Sequence, residues 1–491
     1  MLATLCLAVA PSLASEPPRV VVVILADDMG APSVGAYNDD LGLPTPHLDR
    51  LAAEGVRFTD AHSPSAVCSP TRYALLTGRY AWRTRLKRGI VGQWGAALIA
   101  AERPTLPGLL LESGWRTDCV GKWHLGFDWR DAEGNATRRA DAIDWSQPLG
   151  NGPTTRGFER YYGDDVPNWP PYVWIENERA LGTPSERMQA DPANGVSAGP
   201  MTPGWSLDAV LPALAGRCVS AIEAAAASER PSFLFFSMTS PHTPISPAEE
   251  FRGASGKGAY ADFLIETDWA VGEVLRALDE TGLADEALVI FTADNGTSPK
   301  CQFDALAADG VDLRGPWRGH KADLWEGGHR VPFLVRWPGV SAPGSVCDEP
   351  IVLTDILPTV LEAVGLEREA GVAPDGASLL PLLRGGELEQ PLHELIVHHS
   401  SRGRFAVRAG RWKLIFDAGS GGWSHPQHAA ALEQGLPALQ LYDLDADPSE
   451  STNLVGQHPE VVADLSARFR ALVDEHGAEG EWWRELPWQA R

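Results

Sequence analysis

Seven consecutive apolar residues, Val20–Ala26, stop abruptly at Asp27-Asp28, and short apolar runs ending in polar clusters recur down the chain. Runs of this length, rich in β-branched or aromatic side chains, predict strands buried on both faces. Further strands are expected over 115–121, over 233–238 before Ser240-Pro241-His242, and over 287–292 before Asp294-Asn295-Gly296. Helical periodicity fills the intervals. It covers 106–113, 354–364 and above all 260–280, where Phe263, Leu264, Ala270, Val271, Val274, Leu275 and Leu278 recur on one face. Strands alternating with helices predict an α/β fold, a large mixed, mostly parallel sheet flanked by helices.

The pattern changes twice. From 145 to 205 the periodicity dissolves into Gly, Pro, Asn and aromatic residues, the composition of long surface loops. After about residue 386 an alternating stretch, 405–416, turns back at Gly410, and a strand at 439–443 and a helix at 460–475 follow. The expected division is a main domain of residues 16–385 and a smaller C-terminal α+β domain of residues 386–491 with an antiparallel sheet. At the other end, apolar residues 2–10 and Ser12-Leu13-Ala14 read as a secretory signal over 1–15, and hence an exported protein, periplasmic or secreted. No later run approaches ~18 uninterrupted apolar residues, so no membrane span is expected.

Composition acts mainly by exclusion. The 491 residues, 44% hydrophobic and 22% charged, are those of a globular chain. A formal charge of −24 argues against a nucleic-acid partner, and any anion site must be a local cationic cluster in an acidic field. Of the six cysteines, Cys6 leaves with the signal. Cys119 and Cys218 lie in apolar patterns as buried thiols, while Cys301 and Cys347, in loop-like sequence, are free to pair.

Asp27-Asp28 and Asp294-Asn295 each follow the carboxyl end of a strand, the edge at which parallel sheets bind ligands. Three carboxylates and an amide offer hard oxygens suited to Ca²⁺ or Mg²⁺, although Asp and Asn also serve there as plain loop caps. Cys68 precedes Ser69 as an N-cap, Pro70 at the first helical position and Gly78 as a helix stop. That mouth of a helix favours an anion. Left as a thiol, Cys68 is either a low-pKa nucleophile or an inert buried cysteine.

Cys68-Ser69-Pro70-Thr71-Arg72 followed by Leu76-Thr77-Gly78-Arg79 resembles the signature of the type I, formylglycine-dependent sulfatases of the alkaline-phosphatase-like superfamily. The resemblance continues through Asp27-Asp28, Gly121-Lys122-Trp123-His124-Leu125-Gly126, Pro241-His242, Asp294-Asn295-Gly296 and Lys321 before Trp325-Glu326-Gly327-Gly328. It reaches Leu441-Tyr442-Asp443-Leu444 and so spans nearly the whole chain. Thr71 stands where serine is usual, keeping a hydroxyl.

The resemblance implies that Cys68 becomes formylglycine (3-oxoalanine) through a formylglycine-generating or cysteine-type sulfatase-maturating enzyme. The hydrated aldehyde would join Asp27, Asp28, Asp294 and Asn295 around a divalent cation, Ca²⁺ ahead of Mg²⁺. One hydroxyl would attack the sulfur of a sulfate ester, and the second would let the carbon return to the aldehyde and expel sulfate. Lys122 is implied on a sulfate oxygen and the diol, and His124 on the diol proton. His242 and Lys321 would flank the bridging oxygen, with His242 as general acid and neighbouring anions raising its pKa. Arg72 would anchor the diol and the carboxylates. Lys122 and His124, two apart beyond a strand, share a face if the chain stays extended.

A sulfated saccharide is the expected substrate ahead of a small aryl or steroid sulfate, since signal, acidity and aromatic loops suit extended extracellular substrates. Trp145, Trp169, Trp174 and Trp205, with Tyr161, Tyr162 and Tyr172, serve either to stack on sugars or to pack the loops. Arg156, Arg318 and His320 are further cationic groups to which no role is assigned. The rival readings are a broad arylsulfatase, a phosphonate or phosphodiester hydrolase on the same fold, and an inactive sulfated-glycan-binding protein.

Overall fold

Val20–Ala26 (β1) has a parallel partner on either side, which is why all its residues are apolar and buried. In this computed structural model, which describes residues 16–475, nine further strands complete the principal sheet. They are β2 (Val56–Phe58), β3 (Arg116–Gly121), β4 (Arg160–Gly163), β5 (Ile175–Glu176), β6 (Arg179–Ala180), β7 (Ser232–Ser237), β8 (Ala287–Ala293), β9 (Phe333–Arg336) and β10 (Ser345–Cys347). Their order is β10-β2-β9-β8-β1-β7-β3-β4-β5-β6. The central run from β8 to β4 is parallel, and antiparallel joins to β9 and β5 bound it. Register aligns Ala26 with Ala293, Leu25 with Ser237, and Ser237 with Gly121, so the carboxyl ends of β8, β1, β7 and β3 emerge side by side. The expected signal over 1–15 lies outside the described residues.

The flanking helices include α1 (Cys68–Thr77), α2 (Leu106–Glu112), α3 (Val210–Ala226), α4 (Ala259–Glu280), α5 (Ile356–Ala363) and α6 (Pro459–Glu475). By length and composition alone the stretch Leu207–Ala226 is apolar enough to cross a membrane. Here it packs on α4 and the sheet, burying Leu211, Leu214, Cys218 and Ile222.

Several local expectations are corrected. Helix α1 begins at Cys68 itself, after an extended Val67 with no side-chain cap. Ser69 is therefore inside the helix, and its hydroxyl instead accepts from the Val91 N–H at 3.0 Å. Gly78, at φ 59, does end the helix, its N–H donating to the Ala74 carbonyl at 2.8 Å. Thr354 lies in a 3₁₀ turn, Leu353–Asp355, ahead of α5. Among the described residues, Cys301 and Cys347 are both free thiols. Cys301 follows β8, whereas Cys347 closes the edge strand β10 three places along the sheet, so the fold does not pair them. Cys119 and Cys218 are buried thiols, as expected.

The C-terminal sheet is antiparallel and sequential: β11 (Ile396–His399), β12 (Phe405–Ala409), β13 (Trp412–Ile415) and β14 (Gln440–Asp443), with Gly410 turning the hairpin at φ 53. Helix α6 covers one face through Phe469, whose ring lies 5.5 Å from Phe405 and 5.3 Å from Phe416. The seam with the principal sheet is polar and buried. Lys413 Nζ lies 2.8 Å from Glu326 Oε1, 2.9 Å from Glu450 Oε1 and 3.1 Å from His329 Nε2. His329 Nδ1 faces His62 Nδ1 at 2.9 Å, and His62 Nε2 reaches Asp60 at 2.6 Å, where Arg408 also binds. His398 stacks on His329 with centroids 3.8 Å apart. These three histidines are close enough to hold a metal. However, the facing nitrogens of His62 and His329 lie nearly in line, with centroids 5.1 Å apart, which is hydrogen-bond geometry. Parallel stacking turns the lone pairs of His398 away from a common point.

Candidate active site

The shared edge of β1, β3, β7 and β8 gathers the polar groups that follow each strand. Asp27 takes its place through its N–H on the Ser240 carbonyl, and Asp294 through its N–H on the Ala26 carbonyl. Asp28, at φ 65, turns its N–H onto Asp294 Oδ1 at 3.1 Å. Gly121, at φ 111, ends β3 where a Cβ would stand 1.9 Å from the Ser237 carbonyl oxygen. That close approach drops Lys122 onto Asp27, Nζ to Oδ2 at 2.5 Å. The chain beyond is not extended: His124 adopts φ 53, and its N–H is held by Asp165. Lys122 and His124 reach the same site through this turn, not through strand alternation.

Helix α1 closes the site from above the sheet edge. Arg72 binds Asp294 Oδ2 through Nη2 at 2.7 Å and Nε at 3.1 Å, and its Nη2 lies 3.6 Å from Asp27. A further nitrogen of Arg72 donates to Ser237 Oγ, whose own hydroxyl donates to the Lys122 carbonyl at 2.6 Å. Lys321 Nζ pairs with Asp28 and stands 3.6 Å from Cys68 Sγ. His242 Nδ1 donates to the Thr243 carbonyl at 2.5 Å, leaving Nε2 facing Asp28 at 3.7 Å. Asn295 Nδ2 donates to Asp28 Oδ1 at 2.8 Å. All ten residues named for the site thus come together at one end of the sheet.

The charged groups gathered here are buried. Burial pushes the Cys68 thiol up to about 12, and Lys122 and Lys321 only partly oppose it. The unmodified cysteine is therefore not the low-pKa nucleophile its helix position allowed. Burial opposes ionisation of Asp27, but Lys122, His242 and Arg72 outweigh it and hold that carboxyl well below its usual range. Asp294 moves the other way, to about 7, through burial and its neighbour Asp27. Burial also holds His242 down at about 4, overriding Asp27 and Asp28. This reverses the direction expected from nearby anions alone.

The donor set fits a divalent cation. Among the described residues, Asp27 Oδ1 and Asn295 Oδ1 are buried without any hydrogen-bond partner, an expensive state for oxygens of this kind. Donor atoms of Asp27, Asp28, Cys68 and His242 lie within 4.8 Å of one another. The oxygens of Asp27, Asp28, Asp294 and Asn295 are hard ligands, and Cys68 fits among them once an oxygen stands in place of its sulfur.

A cavity of about 450 Å³ opens over Cys68, His124, His242 and Lys321. Of the loop aromatics, Trp169 lines it, edge-on to His124 at 5.5 Å. Most of the others pack on one another: Tyr162 stacks on Trp174 at 5.0 Å, and Trp174 meets Trp205 at 4.8 Å. Arg156 is bound to backbone carbonyls, Arg318 lies over the Trp325 ring and His320 against Ser424. Ser237 and the Asp164-Asp165 pair beside Lys122 and His124 escaped the sequence reading. Their only signal was position, at or just past a strand end.

The sheet edge and its cationic, carboxylate-rich pocket define an ester hydrolase of alkaline-phosphatase-like fold. Residues 19–366 match the family model described as Sulfatase, and 319–475 match N-sulphoglucosamine sulphohydrolase, C-terminal. The chain is 31% identical to N-acetylgalactosamine-6-O-sulfatase of Bacteroides thetaiotaomicron, covering 93% of each. It is 33% identical to human arylsulfatase A, over 92% of this chain and 86% of that protein. A solved structure from work on glycosaminoglycan metabolism by B. thetaiotaomicron superposes with a TM-score of 0.80 at 28% identity, covering 93% of this chain and 99% of that one. The chain belongs to the sulfatase family and is a sulfuric ester hydrolase; the family implies a metal ion and a formylglycine.

Proposed function

We propose that this enzyme removes sulfate from a carbohydrate ester, using formylglycine made from Cys68 and a Ca²⁺ ion held by Asp27, Asp28, Asp294 and Asn295 with the modified residue. The observation that carries the reading is the setting of Cys68. A buried thiol, its pKa raised by that burial, sits among hard oxygens, two of them unpartnered among the described residues, and two lysines. When present, the cation supplies Lewis acidity towards the sulfate, and the hydrated aldehyde supplies an oxygen nucleophile with a second hydroxyl.

The chain's own groups do the rest. Lys122 and Lys321 neutralise sulfate oxygens as charge shifts onto them. His242, its Nδ1–H committed to Thr243, passes a proton from Nε2 to the departing alcohol. The sulfate's charge works against the burial that depresses His242. His124 Nδ1, buried and without a partner among the described residues, takes the proton of the second hydroxyl. Arg72 keeps Asp27 and Asp294 in place.

The saccharide reading is supported by similarity to the N-acetylgalactosamine-6-O-sulfatase, and the aryl- and steryl-sulfatases at 32–33% identity make a broad arylsulfatase its competitor. Turnover of a panel of sulfated saccharides beside nitrophenyl sulfate tests it, and turnover of the aryl ester alone would sink it. A nitrophenyl phosphodiester in the same panel tests the phosphodiesterase alternative. The proposal includes export, maturation by a formylglycine-generating or sulfatase-maturating enzyme, and the division into residues 16–385 and 386–491.

A further inference from the structure

Beyond the sulfate pocket, the cavity over Cys68 has an outer wall with its own chemistry. Lys300, Arg402 and Trp423 line it, and all three are exposed, Trp423 by 44%. They come from three separate segments. Lys300 lies in the turn Pro299–Cys301 shortly after Asp294-Asn295, Arg402 follows β11, and Trp423 sits in the loop between β13 and β14. Trp423 and Ser424 are pinned by their N–H groups on Asp323 Oδ1, at 2.8 and 3.0 Å, two residues from Lys321. Arg402 Nε donates to the Gly422 carbonyl at 2.8 Å, which aligns the guanidinium beside the Trp423 loop. Thus the C-terminal sheet delivers two of the three groups to the mouth of a cleft whose floor belongs to the principal sheet.

The charge of these groups is unbalanced. Among the described residues, neither Lys300 nor Arg402 has a carboxylate partner, although the chain carries a net charge of −24. Among the described residues, the one carboxylate lining the same cavity is Asp28, already paired with Lys321. Two unpaired cations beside an exposed indole, in an acidic protein, are arranged for an anionic group next to an apolar ring face.

We propose that Lys300, Arg402 and Trp423 form a leaving-group subsite that selects saccharides bearing a second anionic group on or beside the sulfated sugar. Trp423 packs against a sugar face, and the two cations hold a carboxylate or another sulfate. This rests on the carbohydrate reading above and narrows it to polyanionic saccharides.

The test compares kcat/KM of the matured enzyme on four esters: nitrophenyl sulfate, a sulfated hexosamine, that hexosamine linked to a uronic acid, and that hexosamine with a second sulfate. The two dianionic sugars separate a carboxylate from a sulfate as the anion read. At least one should exceed the singly sulfated hexosamine by roughly 10-fold, with the margin shrinking as salt rises. Arg402→Ala and Lys300→Ala should each cut that margin roughly 3- to 5-fold, mainly through KM. Arg402→Lys should keep most of it, and the double alanine variant should erase it. Trp423→Ala should raise KM for all the saccharides relative to nitrophenyl sulfate. Equal rates on the three sugars in the wild type, or a preference that survives in the double variant, would overturn the subsite. Turnover of nitrophenyl sulfate alone would overturn it too, and would be recognised as failure of the carbohydrate reading by the absence of any saccharide product.

Discussion

Replacing Lys413 by methionine should loosen the seam between the two sheets in a pH-dependent way. Lys413 Nζ is fully buried and serves Glu326, Glu450 and His329 at once. After its removal Glu326 keeps Arg330 at 2.9 Å, whereas Glu450 Oε1 loses its ion pair. Removing one partner of a buried pair costs about 3–5 kcal/mol when the other stays charged. Glu450 has a way out, because burial, with Glu326 nearby, already pushes its carboxyl up to about 7 from 4.5. A raised carboxyl favours the fold below its unfolded value and loses that contribution as pH rises through its folded value. Without Lys413 the folded value climbs further. The variant therefore holds a neutral Glu450 in mild acid, with a smaller cost of about 1–3 kcal/mol for an unpartnered polar group. Urea unfolding followed by tryptophan fluorescence, at about pH 5.5 and about pH 8.5, should show the larger loss at the higher pH. Adding Glu450→Gln should recover most of that high-pH loss. Equal losses at both values, a loss under about 1 kcal/mol, or no recovery in the double variant would refute the reasoning.

Chelation should abolish turnover, with Ca²⁺ restoring it better than Mg²⁺, and Asp27→Asn should lower kcat by roughly 100-fold or more in the presence of metal. In Gly296→Ala the new Cβ would lie 1.9 Å from the Gly327 carbonyl oxygen. That must shift Asn295, so kcat should fall on the order of 100-fold while circular dichroism stays native. His393 Nε2 lies 2.9 Å from both oxygens of Asp355; burial opposes its charge, but Asp355 prevails and raises its pKa. Its contribution is present below the unfolded value of about 6.5 and is lost as pH rises through the folded value. His393→Gln should therefore cost about 1 kcal/mol near pH 5.5 and less near pH 8.5 in urea titrations.

Much of the scaffold was legible because it follows local rules. The unbroken apolar run of β1 and its stop at Asp27 gave both a central strand and the edge where the site forms. Spacing and charge located the carboxylates and His242, but not their protonation, because Asp294 and His242 are governed by burial that no sequence window displays. The start of α1 was displaced because capping rules look for a polar side chain, and here an extended Val67 leads straight into the helix. Aromatics in 145–205 have one composition for packing and for binding, and only their partners separate Trp169 from Trp174. The seam was invisible for a different reason. Arg408 and Asp60 are 348 positions apart, and neither carries a local signal of the other.

The central claim is that the sulfur of Cys68 is exchanged for oxygen before the enzyme works. Mass spectrometry of the peptide containing residue 68, on preparations made with and without a formylglycine-generating enzyme, measures the aldehyde fraction directly. The expected result is turnover of nitrophenyl sulfate in proportion to that fraction, vanishing as it approaches zero. A preparation carrying only the thiol at position 68 and turning over the ester at full rate would contradict the account.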